Sequence, residues 1–280
     1  MISLFGGIHM KHLQNLHTHT TYCDGRDTPE QMILSAIDQG FESLGFSGHS
    51  YTAYSPDIPM SIEGTEEYKK EINALKEKYA GKIDVFLGLE FDMYSGVDLS
   101  GYDYTIGACH YLKKDGKYIS FDCKADGVQS VIDTEFSGNG MAFSNEYYRQ
   151  LSALPDYGKF DIIGHFDIHT KNIEKVPFFD VNSKEYLDAA FGAISALKGK
   201  IPFFEVNTGA ISRGYRTSPY PTLPLLRELR AQGFGAVISS DCHDARNLAH
   251  SFDMARELLS EAGFTEKYIL TKNGFSAVEL

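Results

Sequence analysis

Along the chain, short apolar runs end in a polar residue and give way to helical periodicity, again and again. Residues 13–16 form a brief apolar stretch ending at His17 and His19. Residues 28–39 read as a helix: Thr28 is the N-cap, Pro29 takes the first helical position and Gln31 completes a capping box. Gly40 stops it. Residues 43–47 read as the next strand, leading to His49. A helix over 65–79 is predicted with Thr65 as its cap, because Tyr68, Ile72, Leu75 and Tyr79 share one face. Further strands are predicted at 83–89, 102–109, 160–164, 201–206 and 236–240. They end at Glu90, His110, His165, Asn207 and the pair Asp241 and His243. Helices near 184–198, 222–232 and 246–262 fill the later intervals.

Seven apolar runs separated mostly by helices imply parallel βα units. Near-continuous hydrophobic strands fit a parallel sheet covered on both faces. An α/β barrel explains more than an open sheet does. In a barrel all strand C-termini converge on one mouth. Residues 115–150 break the rhythm and are long for a connection. They read as helices near 125–133 and 144–153 around a Gly-rich link, and as a partial lid over that mouth. No linker, charge run or Pro-rich tract marks a domain seam, so one barrel domain of the distorted TIM-like (β/α)7 kind is expected over residues 1–280.

Composition narrows the classes of function. The chain carries 26 Lys and Arg against 38 Asp and Glu, a formal charge of −12. That balance disfavours a nucleic-acid polymer as partner. No apolar run approaches the ~20 residues of a membrane helix. Four cysteines without CxxC spacing read as free thiols in a reducing cytoplasm. The opening residues lack the features of a signal peptide, and Met10 is an alternative start that would make 1–9 an upstream extension. Oligomeric state leaves no mark in the sequence.

The chemistry sits at the strand ends. In His17-Thr18-His19 the two imidazoles point the same way, because side chains on an extended strand repeat every second residue. Asp241-Cys242-His243 repeats this spacing at the last strand. Six of the ten histidines fall at strand ends, joined by Glu90 and Asp241. Neutral nitrogens and anionic oxygens in one mouth are a ligand set for Zn²⁺, Mn²⁺ or Fe²⁺. Asp24, in a tight TYCDG turn, is read either as a turn residue or as a further ligand. His9, His12 and His250 fall outside the pattern, while His169 lies close enough to the mouth to be a substrate contact.

Taken in order, HTHTTYCDG, GFSGHS, GLE, GACH, IIGHFD and SSDCH resemble the polymerase-and-histidinol-phosphatase (PHP) family of metal-dependent phosphoesterases. The stretch EVNTGAISRGYRTSPYP is similar to its histidinol-phosphatase branch. The resemblance implies three divalent cations, Zn, Mn or Fe. His17, His19, Glu90 and Asp241 would hold the first, Glu90, His110 and His165 the second, and Asp24, His49 and His243 the third. Many members place a histidine one residue beyond Asp24; here Gly25 stands there, so the Asp24 assignment is a substitution. The implied reaction is hydrolysis of L-histidinol phosphate, a small phosphate ester of histidine biosynthesis, with Glu90, Asp241 and His243 as catalytic groups. Arg213 and Arg216 are candidates for the phosphate, Asp167 for the cationic part of the substrate, and Asn207 for a ligand hydrogen bond or loop support. Competing readings are a PHP-type enzyme acting on nucleotides, a metal-binding regulatory barrel and, more distantly, an amidohydrolase-like enzyme.

Overall fold

The computed structural model describes residues 12–55 and 58–280. His9 and the possible extension at 1–9 lie outside the described residues. The chain alternates strand and helix: β1 (Gln14–Asn15), α1 (Pro29–Asp38), β2 (Ser43–Phe46), α2 (Ile62–Lys78), β3 (Asp84–Asp92) and β4 (Tyr104–Ala108). A hairpin of β5 (Tyr111–Lys114) and β6 (Lys117–Ser120) follows, then α3 (Ala125–Glu135) and α4 (Gly140–Leu151). The alternation resumes with β7 (Ile162–Ile163), α5 (Lys184–Leu197), β8 (Phe203–Asn207), α6 (Gly209–Ser212), α7 (Leu223–Ala231), β9 (Gly235–Ser239) and α8 (Phe252–Glu261). The chain closes with an antiparallel hairpin, β10 (Glu266–Thr271) and β11 (Gly274–Glu279).

Seven strands run parallel in the order β1-β2-β3-β4-β7-β8-β9. Beyond β1 and β9, Thr18 and Cys242 form a parallel bridge, with the His19 amide donating to the Cys242 carbonyl at 2.9 Å. The sheet therefore closes into a barrel at its mouth, as the polar residues at the strand ends predict. At the opposite end the terminal hairpin stands against β1. The Gln14 side chain donates to the Leu270 carbonyl and accepts from the Leu270 amide, both at 2.8 Å. Leu270 joins Leu16, Phe86, Tyr104, Ile106, Ile162 and Val237 in an apolar cluster inside the barrel. A larger core lies between the strands and the surrounding helices.

The local rules hold where a cap or a turn is explicit. Thr28 and Gln31 form the predicted capping box. Other boundaries move. α2 begins three residues earlier than predicted, capped by Ser61, whose hydroxyl accepts from the Gly64 amide at 2.9 Å. α8 starts at Phe252 rather than near 246, because residues 245–247 form a short 3-10 turn capped by Asp244. Within 115–150 the expected pair of helices is present, but an unpredicted hairpin precedes them, turning at Asp115 and Gly116, both with positive φ. α4 is framework rather than a cover: Phe143, Tyr147 and Tyr148 on it are fully buried. Only the hairpin end of the segment expected as a lid reaches the mouth. Among the described residues no helix is long and apolar enough to cross a membrane.

Candidate metal centre

The C-terminal ends of the strands bring His17, His19, Asp24, His49, Glu90, His110, His165, Asp241 and His243 into one cluster. Parallel strands make this possible: every chain direction is the same, so every exit lies at one rim. Glu90, within β3, stands at the centre. Its Oε1 lies 2.9 Å from His165 Nε2 and 3.3 Å from His110 Nε2. Its Oε2 lies 2.8 Å from His49 Nδ1, 3.3 Å from His17 Nε2 and 3.5 Å from His19 Nε2. Asp241 Oδ1 sits 3.1 Å from His19 Nε2 and 3.6 Å from His17 Nε2. Asp24 reaches in from the first loop, 3.2 Å from His243 Nε2 and 3.6 Å from His49 Nε2.

Four overlapping groups have donor atoms within 4.8 Å of one another: His19, Asp24, His49, His243; His17, Glu90, His165; His17, His19, Asp241; and His49, Glu90, His110. The partition differs from the one the resemblance implies, because His17 also faces His165 and His49 also faces His110. The buried atoms His17 Nε2, His19 Nε2 and Glu90 Oε2 have no hydrogen-bond partner. Buried polar atoms are nearly always satisfied, so unpaired donors converging on one point fit a cation in their midst.

The field inside the cluster is strong. Burial works against a charge on His17, yet Glu205, Glu90 and Asp241 together hold its pKa well above the usual range. His110 is raised to about 10, again against burial, by Glu90 and Asp92. Burial, His243 and His49 push His19 down to about 3. Burial alone would raise Glu90, but His17, His49 and His110 keep it well below the ordinary carboxylate range.

A supporting layer fixes the rings. Glu205 Oε2 lies 2.9 Å from His17 Nδ1, and its other oxygen accepts the His165 amide at 2.5 Å. Asp92 Oδ2 stands 3.2 Å from His110 Nδ1, while Tyr54 donates to its other oxygen at 2.5 Å. Such partners hold a ring's orientation and tautomer. Glu205 escaped the sequence reading, although an acid inside the apolar run IPFFEV is itself a signal. Asp241 has φ +45, an uncommon conformation for a non-glycine residue. Arg213 secures it, donating from Nη1 to the Asp241 carbonyl at 2.7 Å and from Nη2 to Oδ2 at 2.9 Å.

Next to the cluster opens a cavity of ≈ 270 Å³, small enough for a metabolite. Its wall includes Asp24, His49, Glu90, His110, His165, Arg213, Asp241 and His243. Other expected substrate contacts are placed away from that wall. Arg216 is buried, donates to Thr170 Oγ1 at 2.7 Å and lies over the Tyr220 ring. His169 is stacked between Tyr147 and Phe179, with Nε2 2.9 Å from Ser144 Oγ. Asp167 is fully buried, and burial raises its carboxyl to about 6 despite Arg216 nearby. Asn207 braces Glu205 and the Gly209 amide, both at 2.8 Å, which is the loop-support alternative. Conversely, Asp122 and Lys171 line the cavity without a sequence signal, because they come from irregular connections, and Tyr215 joins them from between Arg213 and Arg216.

Fold and site together define a distorted seven-stranded α/β barrel built around a multi-histidine cation centre. A family model described as the PHP domain matches residues 15–209, and the chain belongs to that family. It is 28% identical over 91% of its length, and 96% of the relative's, to a Deinococcus radiodurans protein named "Probable histidinol-phosphatase". It is 25% identical to the histidinol-phosphatase of Bacillus subtilis, over 85% of this chain and 96% of that one. The fold matches a crystal structure of histidinol phosphate phosphatase from Lactococcus lactis complexed with zinc, L-histidinol and phosphate. That match has a TM-score of 0.68 at 19% identity and covers 95% of this chain and 99% of the other.

Proposed function

We propose that this chain is a divalent-metal-dependent phosphomonoesterase that hydrolyses L-histidinol phosphate to L-histidinol and phosphate, a step of histidine biosynthesis. The observation that carries the reading is the convergence of nine donor residues, Glu90 among them facing five histidines, at the edge of a small cavity. The names of its relatives, and the histidinol and phosphate bound by the Lactococcus lactis enzyme, support the choice of substrate. His17, His19, Glu90 and Asp241 would hold one cation, Glu90, His110 and His165 a second, and Asp24, His49 and His243 a third, each zinc, manganese or iron. When bound, such ions lower the pKa of water and neutralise phosphoryl charge.

The chain's own groups then have distinct tasks. Arg213 presents a cation at the cavity wall, where a phosphate oxygen can meet it, while holding Asp241 in place. In the reaction a water oxygen bonds to phosphorus as the P–O bond to the alcohol breaks. One proton leaves the water and one reaches the departing alkoxide. Asp241 and His243 line the cavity and are positioned to carry these protons. Glu205 and Asp92 keep His17 and His110 oriented throughout.

Phosphate release after metal reconstitution tests the proposal, with histidinol phosphate, an aryl phosphate, a mononucleotide and a dinucleotide compared side by side. Histidinol phosphate should give the highest kcat/KM. A preference for the dinucleotide would replace the proposal with a phosphodiesterase.

A further inference from the structure

Two charged side chains of the cavity wall have no part in the chemistry above. Asp122 follows the β5–β6 hairpin and Lys171 follows the turn after β7. Both line the cavity, and Lys171 Nζ pairs with Asp122 Oδ1. The pair is braced from behind: the Asn172 side chain donates to the Cys123 carbonyl at 2.9 Å, joining the two loops. Lys171 Nζ also lies 5.0 Å from the centre of the Tyr215 ring, another wall residue. Burial would raise the Asp122 carboxyl, but Lys171 first, then His110 and His165, hold it below its usual range. Paired with Lys171, Asp122 is an anion on the same wall as His110 and His165.

An anion in this place is costly for a phosphate-binding cavity. It cancels the charge of Lys171 and repels an incoming dianion. An ester with no other charge would have to take Lys171 from its partner and leave Asp122 unpaired. An ester that also carries an ammonium group removes the conflict, because each wall charge gains a new counter-ion. On the phosphomonoesterase reading above, we propose that Asp122 and Lys171 are a specificity-determining pair exchanged for a zwitterionic substrate: Asp122 takes the ammonium of the organic part and Lys171 takes a phosphate oxygen. Esters lacking a cation are thereby selected against, since rejection comes from a charge left unpaired.

The test compares histidinol phosphate with its desamino analogue, 3-(imidazol-4-yl)propyl phosphate, in the metal-loaded enzyme. The wild type should favour the amine-bearing ester by at least about tenfold in kcat/KM. Asp122→Asn should shrink this preference at least about tenfold, chiefly through KM, and Asp122→Glu should restore most of it. Lys171→Met should weaken both esters alike. An unchanged preference in Asp122→Asn, or an equal loss on both esters, would overturn the proposal. So would loss of bound metal in that variant, which would make Asp122 part of the cation centre. The substrate assignment can fail separately. If neither imidazole ester is hydrolysed but O-phosphoethanolamine is preferred over ethyl phosphate, and Asp122→Asn removes that preference, the charge exchange stands and histidinol phosphate does not.

Discussion

The two ends of the barrel are made from the same strands and obey opposite rules. At the base, Leu16, Phe86, Tyr104, Ile106, Ile162, Val237 and Leu270 pack together, and the terminal hairpin seals the opening. Polar groups there are paired: Tyr104 donates its hydroxyl proton to the Leu16 carbonyl, and Gln14 satisfies both backbone groups of Leu270. At the mouth, histidines and acids crowd together and three buried atoms among the expected ligands of the first cation stay unpaired. A structure that satisfies its polar groups at one end and leaves them converging at the other has been shaped at the second end by something besides stability. The contrast separates framework from chemistry, and substitutions at each end should have separable effects.

The largest effect belongs to Glu90→Gln. One carboxylate oxygen faces two histidines and the other three, so an amide cannot serve both sides. Activity should fall by at least about 10³-fold, on the order of 4 kcal/mol, with less metal bound by elemental analysis and an unchanged circular-dichroism spectrum. Turnover at the wild-type rate would remove Glu90 from the centre of the site.

The base should respond in the opposite currency. A Cβ built on Gly88 would lie 2.2 Å from Tyr104 Cζ, and one on Gly45 would lie 2.4 Å from the Tyr104 hydroxyl. The ring fills the barrel where glycine leaves room, and its hydroxyl is anchored to Leu16. Gly88→Ala should therefore cost about 2–3 kcal/mol in denaturant unfolding while kcat of the folded, metal-loaded enzyme stays within about twofold. A large loss of kcat with full stability would show that base and mouth are coupled.

The sequence carried the mouth more clearly than the base. Residues at strand ends announce themselves when strands are parallel, because HxH and DxH spacing places both side chains on one face. Eight of the nine candidate donors meet because they sit at strand ends, and Asp24 joins them from the first loop. Substrate contacts were harder to read. Arg216, Asp167, His169 and Asn207 are near the cluster in sequence, but tertiary packing turns them into buried struts. Asp122 and Lys171 come from loops whose path follows no period. The parallel βα units were legible from alternation and the barrel from the polar strand ends, whereas the terminal hairpin that seals it was not. Its Lys272-Asn273-Gly274 turn gave a local cue, but its place beneath the barrel depends on contacts with residues about 250 positions away, such as Gln14 with Leu270.

A smaller loss is expected for Arg213→Ala. It removes a cation from the cavity and both bonds to Asp241. About a 30-fold drop in kcat/KM is expected, near 2 kcal/mol, together with weaker inhibition by inorganic phosphate. Unaltered phosphate inhibition would confine Arg213 to positioning Asp241.

The smallest effect probes the border between the two ends. α2 starts just after Ile58 and Pro59, which line the cavity, so its cap lies at the rim although its buried face serves the framework. Ser61 accepts the Gly64 amide proton, whereas the Thr65 hydroxyl donates back to the Ser61 carbonyl at 2.8 Å. Ser61→Ala leaves that amide without its partner and should cost about 1 kcal/mol of stability, while Thr65→Ala should cost less. Neither should change kcat on histidinol phosphate. Equal unfolding midpoints for the two variants would mean that Ser61 is not the cap that matters. A fall in kcat for Ser61→Ala beyond its loss of stability would move the rim of the cavity from framework into chemistry.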